Sequence, residues 1–416
     1  MRELLFILIV AILLTDYLLE RLLDYLDSRL FSTELPGELT GIYDADKYRR
    51  SQEYTKVKTK FGLLTESFSL LLILGMLFFY GFAFVNDLVG GVTVNPILAG
   101  LMFFGILMFA SDMLSIPFSA YFTFNIEERF GFNKTTIKTF ITDKLKGWML
   151  AVILGGGLMA LVIWLYTLTG HWFWMLAWGA VTVFSVFMNM FYSQLIVPLF
   201  NKQKPLEEGP LRDAIETFCQ KTGFRLKNVY VIDGSKRSQK SNAYFAGLGA
   251  KKRIVLYDTL IKDLETEELV AVLAHETGHY KKKHTTWGMV VSILTTGLML
   301  FIFSLFIDNP ELSGALGADK PSFHMGLLAF GVLYSPLSLI LGLVMNVVSR
   351  KNEYAADRYA AMHYNAGALQ SSLIKLSVKY LSNLRPHPAT VFFHYSHPPL
   401  LKRLQALENL KAKSES

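Results

Sequence analysis

The residues His275-Glu276-Thr277-Gly278-His279 form an H-E-x-x-H motif. Histidines four apart lie one above the other on a single helix face, so both imidazoles reach one metal ion. Glu276 sits at the next position around the helix, where it can take a proton from water activated by that metal. The bland alternative is an amphipathic helix whose polar face happens to carry the pattern. The preceding Leu269-Val-Ala-Val-Leu-Ala274 run argues against it, because that run buries the helix together with its first imidazole. A catalytic zinc takes three protein ligands and keeps one position open. A further ligand must therefore arrive from elsewhere in the chain.

The elements around the motif say where to look. The chain has 416 residues, 52% hydrophobic and 18% charged, against about 25% charged in soluble domains. That composition excludes a disordered chain and an ordinary cytosolic enzyme. The one cysteine, Cys219, excludes a disulfide framework and a cysteine-rich zinc finger. A net charge of +7 fits loops beside anionic lipid rather than a nucleic-acid partner, and the lack of a glycine-rich phosphate loop argues against direct ATP use.

Apolar runs that approach or exceed the roughly 20 residues needed to span a bilayer occur at 3–20, 66–86, 97–118, 147–167, 172–196, 287–307 and 325–349. The first has no small-residue cleavage site before the acidic stretch at Asp24–Asp27 and reads as a retained helix. Glu66 and Asp112 lie within these runs. Ionisable groups at that depth are expensive in lipid, so they are expected to face a protein interior or water; the alternative of a helix-end residue that snorkels suits Glu66 better than Asp112. Of the 41 Lys and Arg, 39 fall in segments 20–60, 124–146, 201–286 and from 350 onward. The alternation orients seven spans with the amino terminus outside and the carboxyl terminus in the cytoplasm.

The expected fold is predominantly α, a polytopic membrane protein with a cytoplasmic α+β part. Residues 1–200 hold spans one to five with their cytoplasmic loops, and 201–286 form a cytoplasmic region with the H-E-x-x-H helix. Residues 287–349 hold spans six and seven, and 350–416 form a second cytoplasmic region. Within 201–286, Pro198, Asn201 and Pro205 break the incoming helix, and 210–222 reads as an amphipathic helix. Asn228–Asp233 reads as a strand, and Asn242–Ala246 with Arg253–Tyr257 as a hairpin around Gly247 and Gly249.

Spans six and seven leave the cytoplasm near Trp287 and return near Ser349. At 1.5 Å per helical residue, His279 and Glu353 both lie within roughly 12 Å of the boundary. Glu353 thus returns to the side and depth of the histidines, as a third ligand would, although the same spacing also fits an ordinary juxtamembrane charge. Asp357 follows at i+4 on the same face, where a supporting carboxylate belongs.

Asn352-Glu353-Tyr354-Ala355-Ala356-Asp357 after H-E-x-x-H resembles the E-x-x-x-D signature of the gluzincin-type CAAX prenyl endopeptidases. Ile126–Asn133, Pro198–Lys202, Ser241–Phe245 and Tyr395–Leu404 are similar to further stretches of that family, in the same order. The resemblance to the type I group runs nearly the whole length. It implies seven helices around an aqueous membrane chamber with a zincin-like catalytic part, and one zinc held by His275, His279 and Glu353. It implies Glu276 as general base and acid, and Asn242 beside an edge strand that binds substrate. It also implies His397 as a donor to the peptide or the developing oxyanion, with Asp357 and Arg403 in support. Enzymes of this kind are zinc metalloendopeptidases that remove C-terminal tripeptides from prenylated proteins. The implied partners are a peptide or protein substrate, prenylated ones included, and membrane lipids; oligomeric state is left open. The implied location is a bacterial inner membrane or the endoplasmic reticulum. A chamber would also explain Asp112 and Glu66.

Other readings compete. A quality-control membrane metalloprotease shares the catalytic core. An intramembrane site-2-type protease would place the motif inside a span, yet Lys281-Lys-Lys283 follows it here as a basic stop. A seven-span transporter or receptor with a structural metal would not need Glu276. Among the remaining histidines, His171 and His324 fall on the outer side, and His284, His363, His387 and His394 read as surface or packing residues, His284 pointing to a different helix face from His279.

Overall fold

The computed structural model describes residues 1–223, 229–247 and 253–415. In chain order its helices begin with α1 (Arg2–Ser28), α2 (Ala45–Phe78), α3 (Gly81–Val92) and α4 (Pro96–Tyr121). Next come α5 (Ile137–Leu150), α6 (Gly157–Thr169), α7 (Phe173–Leu195) and the single turn α8 (Val197–Phe200). Wide π turns prolong α4 over Phe122–Glu127 and join α5 to α6 over Ala151–Gly156.

Five helical stretches among the described residues are long and apolar enough to cross a membrane: Ala45–Phe78, Pro96–Glu127, Ile137–Phe200, His284–Phe306 and Phe323–His363. The expected runs 147–167 and 172–196 share the third of these. The chain reverses there at Gly170, whose φ of +55° suits a residue without Cβ, and α6 then packs against α7. The expected run 66–86 is interrupted, because α2 ends at Phe78 and Tyr80 takes the left-handed conformation. The run 3–20 lies on α1, which carries Arg2, Glu3, Asp16, Glu20 and Arg21 and is not among the five.

Asp112 and Glu66 both meet cations on neighbouring helices. Asp112 accepts from Lys144 Nζ at 2.7 Å and Trp148 Nε1 at 2.8 Å, both on α5. Glu66 pairs with Arg21 of α1.

The polar region adds α9 (Pro210–Lys221), α10 (Asp258–Asp263) and α11 (Thr266–Lys281), with strands β1 (Gln203–Pro205), β2 (Val229–Ile232), β3 (Ala243–Ala246) and β4 (Arg253–Tyr257). The sheet order is β1-β2-β4-β3, with β2 and β4 parallel and the other pairs antiparallel. The hairpin of β3 and β4 is present, with Gly247 at φ +83°; Gly249, and Asn228 at the start of the expected strand, lie outside the described residues. The strand β1 and the parallel pairing had no signal in local alternation. Among the described residues β3 is an edge strand, paired within the sheet on its β4 side.

The chain continues through α12 (His284–Phe306), α13 (Pro310–Ala315), α14 (Phe323–His363), α15 (Ala366–Lys379), α16 (Pro388–His394) and α17 (Leu400–Glu415). The boundary expected at 349/350 falls inside α14. This helix of 41 residues is about 60 Å long, twice the hydrocarbon thickness of about 30 Å. It therefore carries one unbroken axis from the apolar region into the polar core. There α11 packs on the sheet, α9, α14 and α15, burying Leu269, Val270, Leu273 and Ala274. Each buried Leu or Val side chain here contributes about 1.5–3 kcal/mol.

Candidate metal centre and active site

The helix α11 starts at a reciprocal cap between Glu265 and Glu268. The Glu268 carboxylate, buried by α15, also accepts from Ser371 Oγ at 2.6 Å and Lys375 Nζ at 2.8 Å. The cap thus fixes the start of the motif helix against α15. At the other end Gly278 lets α14 approach: a Cβ there would lie 3.0 Å from Ala356 Cα. That crossing places one helix turn of α14, carrying Glu353 and Asp357, over the two histidines.

The donor atoms converge. His275 Nε2 and His279 Nε2 are 3.1 Å apart. Glu353 Oε1 is 3.1 Å from His279 Nε2, and Oε2 is 3.5 Å from His275 Nε2. A tetrahedron with bonds of about 2.0–2.1 Å has edges of about 3.3–3.4 Å; these separations, taken from Oε1 to His279 and from Oε2 to His275, are of that size, and one ligand atom from each of the three side chains lies within 4.8 Å of the other two. Glu353 is buried, and its Oε2 has no hydrogen-bond partner. Arg403 Nη1 lies 3.5 Å from that oxygen, longer than an ordinary N–H···O bond, so Oε2 keeps a lone pair that a cation between the three side chains would engage. The residues therefore fit a metal of the nitrogen- and oxygen-binding kind.

Support for the first ligand comes from the end of the chain. Asp357 Oδ1 is 2.8 Å from His275 Nδ1. Arg403 of α17 grips the same carboxylate with both branches, Nε to Oδ2 at 2.9 Å and Nη2 to Oδ1 at 2.6 Å. Both side chains are buried, so the pair holds its geometry with little competition from water.

Glu276 and His397 face the cavity beside His275, His279 and Glu353. Burial pushes the Glu276 carboxyl above its ordinary range, against the pull of the two imidazoles, which favours a group that can accept a proton and release it again. His397 Nε2 lies 3.3 Å from Glu353 Oε1. Its ring is open to the cavity, yet protein encloses the space around it, and that enclosure lowers its imidazole from the ordinary value. Arg350 Nη1 holds the segment leading to it, donating to Val391 O at 3.0 Å and Tyr395 O at 2.6 Å.

The cavity has a volume of about 1280 Å³. On its walls are His275, Glu276, His279, Glu353, His397 and Arg403, together with Asn242 and the whole of β3. Asn242 is exposed, with its Oδ1 on the Ala243 N–H at 2.9 Å. Ser185, Asn189 and Thr285 of α7 and α12 also border a smaller cavity of about 270 Å³ that reaches Ser292 and Thr296 between these two helices.

All eight residues singled out from the sequence therefore border or support one cavity. The reading of His284 as a surface or packing residue is corrected: its Nδ1 lies 3.1 Å from His279 Nδ1. Helical spacing placed it on another face, but Lys283 is left-handed at φ +58° and turns the chain back at that point. The only advance signal was a histidine a few residues beyond the motif. Tyr380 was also missed; its hydroxyl holds both the N–H and the C=O of Ser241, at 2.7 and 2.9 Å.

Two family models cover the chain. One, described as "CAAX prenyl protease N-terminal, five membrane helices", matches residues 27–202; the other, "Peptidase family M48", matches 205–411. A CAAX prenyl protease 1 homolog of Oryza sativa subsp. japonica is 36% identical over 98% of each chain. CAAX prenyl protease 1 of Saccharomyces cerevisiae is 34% identical over 93% of this chain and 91% of its own. The crystal structure of S. mikatae Ste24p is 33% identical and superposes with a TM-score of 0.93 over 97% of this chain and 99% of that one. By its sequence along nearly its full length and by its fold, the chain belongs to the CAAX prenyl protease family of M48 membrane metalloproteases.

Proposed function

We propose that this metalloprotease uses one zinc ion to cleave C-terminal peptides from prenylated substrates at the cytoplasmic face of its membrane. The observation that carries the reading is the convergence of His275, His279, Glu353 and Glu276 on a cavity walled by an open edge strand. His275 Nε2, His279 Nε2 and a Glu353 carboxylate oxygen hold the metal. When bound, zinc supplies Lewis-acid chemistry that acidifies water and polarises a carbonyl.

This chain's own groups do the rest. A peptide adds to the free edge of β3 through its backbone, as an extra antiparallel or parallel strand, with Asn242 at the start of that edge. Glu276 takes the proton of the attacking water and delivers it to the leaving amine. His397 donates from its imidazole to the oxygen on which charge develops. Asp357, clamped by Arg403, keeps His275 in the tautomer whose Nε2 is free to bind metal.

The membrane arrangement we propose has seven passes, with the amino terminus outside and residues 201–286 and 350–416 in the cytoplasm. Reversal at Gly170 supports counting α6 and α7 as separate passes, and α1 packs along α13 and α14. The hydroxyl-lined extension between α7 and α12 is consistent with a hydrated space at membrane depth. The membrane is the bacterial inner membrane or the endoplasmic reticulum.

The test is purified, zinc-analysed full chain with two peptides of one sequence, farnesylated or bare at a C-terminal CAAX cysteine, and Glu276→Ala as blank. Zinc-dependent cleavage of the lipidated peptide alone is expected. Equal cleavage of both would instead make the chain a general quality-control endopeptidase on this scaffold. Cleavage of neither by zinc-loaded protein would overturn the substrate assignment.

A further inference from the structure

The two histidine ligands have different partners at their far nitrogens. His275 Nδ1 meets the Asp357 carboxylate at 2.8 Å. His279 Nδ1 meets another imidazole, His284 Nδ1 at 3.1 Å, with the two rings crossing at 76° and their centroids 5.1 Å apart. Helix geometry alone would not bring them together, since residues five apart are displaced around a continuous helix. The contact exists because α11 stops and α12 starts across Lys283, whose φ of +58° and ψ of +28° are left-handed. L-residues with long side chains rarely adopt that conformation, and such departures are retained where the surroundings require them. Here the turn lays the first residue of α12 against the second ligand of α11.

We propose that His284 is a positioning residue of the metal centre, accepting a hydrogen bond at Nδ1 from the Nδ1–H of His279. The inference rests on the zinc reading above. An imidazole that binds metal through Nε2 carries its proton on Nδ1. That proton needs an acceptor, and His284 Nδ1 supplies one when its own proton is on Nε2. The bond fixes the tautomer of His279 and its ring plane, so that Nε2 stays aimed at the centre beside Glu353. The two ligands are thus oriented by different chemistry: a clamped carboxylate behind His275, a neutral ring behind His279. The second arrangement orients a ligand without placing another negative charge beside Glu353 and Asp357.

The experiment compares full-length wild type, His284→Ala and His284→Asn, purified in detergent. Asparagine is the conservative variant because its Oδ1 can accept where the imidazole Nδ1 does. Zinc affinity is measured by competition with a chromophoric chelator, and thermal unfolding of the metal-free proteins is followed in parallel. The expected result is a zinc Kd raised about 10–100-fold in His284→Ala, restored to near wild type in His284→Asn, with the three metal-free melting temperatures alike. A His284→Ala protein with wild-type zinc affinity overturns the proposal. So does an Asn variant as weak as the Ala variant, or a loss in affinity matched by a fall in metal-free stability, since either would mean that the ring only fills space. A wild-type chain that binds no zinc overturns the metal reading itself, and this inference with it.

Discussion

Gly278 of α11 rests directly on Ala356 of α14. A Cβ built on Gly278 would lie 3.0 Å from Ala356 Cα, 3.1 Å from its carbonyl oxygen and 2.9 Å from Tyr359 Cβ. Two of those atoms are backbone and cannot rotate away. The glycine inside H-E-x-x-H therefore sets the distance between the helix that carries His275 and His279 and the helix that carries Glu353.

Gly278→Ala should consequently push the helices apart rather than simply strengthen α11. Overpacking of this kind costs about 1–3 kcal/mol, and alanine's better helix propensity offsets at most about 1 kcal/mol. The expected outcome is weaker zinc retention and much reduced peptidase activity, with helical content unchanged by circular dichroism. Wild-type zinc affinity in this variant would show that the crossing does not set the ligand geometry.

Glu276 and His279 should separate by their effects on metal and on chemistry. Glu276→Gln keeps the shape but removes the proton acceptor, so cleavage should be lost with one zinc per chain still bound. His279→Ala should lose both. Equal zinc loss in the two variants, measured by atomic absorption, would refute the division of roles.

The pair formed by Arg403 and Asp357 is buried beneath His275. Removing one partner of a buried pair typically costs about 3–5 kcal/mol, because the other charge is left without compensation. Arg403→Met should therefore lower the melting temperature and weaken zinc binding, whereas Arg403→Lys, which keeps the charge but not the two-branched grip, should fall between. Thermal unfolding with and without chelator distinguishes the two effects.

His397 is expected to act on the reaction and not on the metal. His397→Ala should leave zinc stoichiometry intact and lower kcat by about 10²–10³-fold, the usual cost of losing one oxyanion donor. A change confined to KM would assign it to ground-state peptide binding instead.

Tyr380 ties the residue before Asn242 to α15 through both backbone groups of Ser241. Tyr380→Phe leaves those groups without that hydroxyl, at a cost of about 1–3 kcal/mol, and loosens the entry to the edge strand. KM for a peptide should rise with kcat nearly unchanged. Retention of the wild-type KM would mean that β3 is held by its pairing with β4 alone.

Local spacing revealed much of this site. A spacing of four from His275 to His279, and of four from Glu353 to Asp357, each places two side chains on one helix face, because helix periodicity follows from covalent geometry. Hydropathy and the distribution of Lys and Arg likewise marked the apolar runs, since transfer to lipid is a property of each segment taken by itself. Hydropathy carries no sign of the break at Tyr80, because Phe79, Tyr80 and Phe82 are as apolar as a spanning helix requires, and only the backbone conformation at Tyr80 shows the interruption.

What tertiary structure alone decided are relations between segments far apart in the chain or divided by an irregular turn. That Glu353 stands beside His275 and His279 depends on the crossing at Gly278. The pairing of His284 with His279 depended on one left-handed lysine, which no periodicity encodes. His397 is placed by Arg350, which reaches the end of α16, and by Asn346, which binds Phe393 O at 2.7 Å. Such contacts carry no periodic trace in either partner, because they are set by where two rigid helices meet and by which polar groups must be satisfied once water has been excluded.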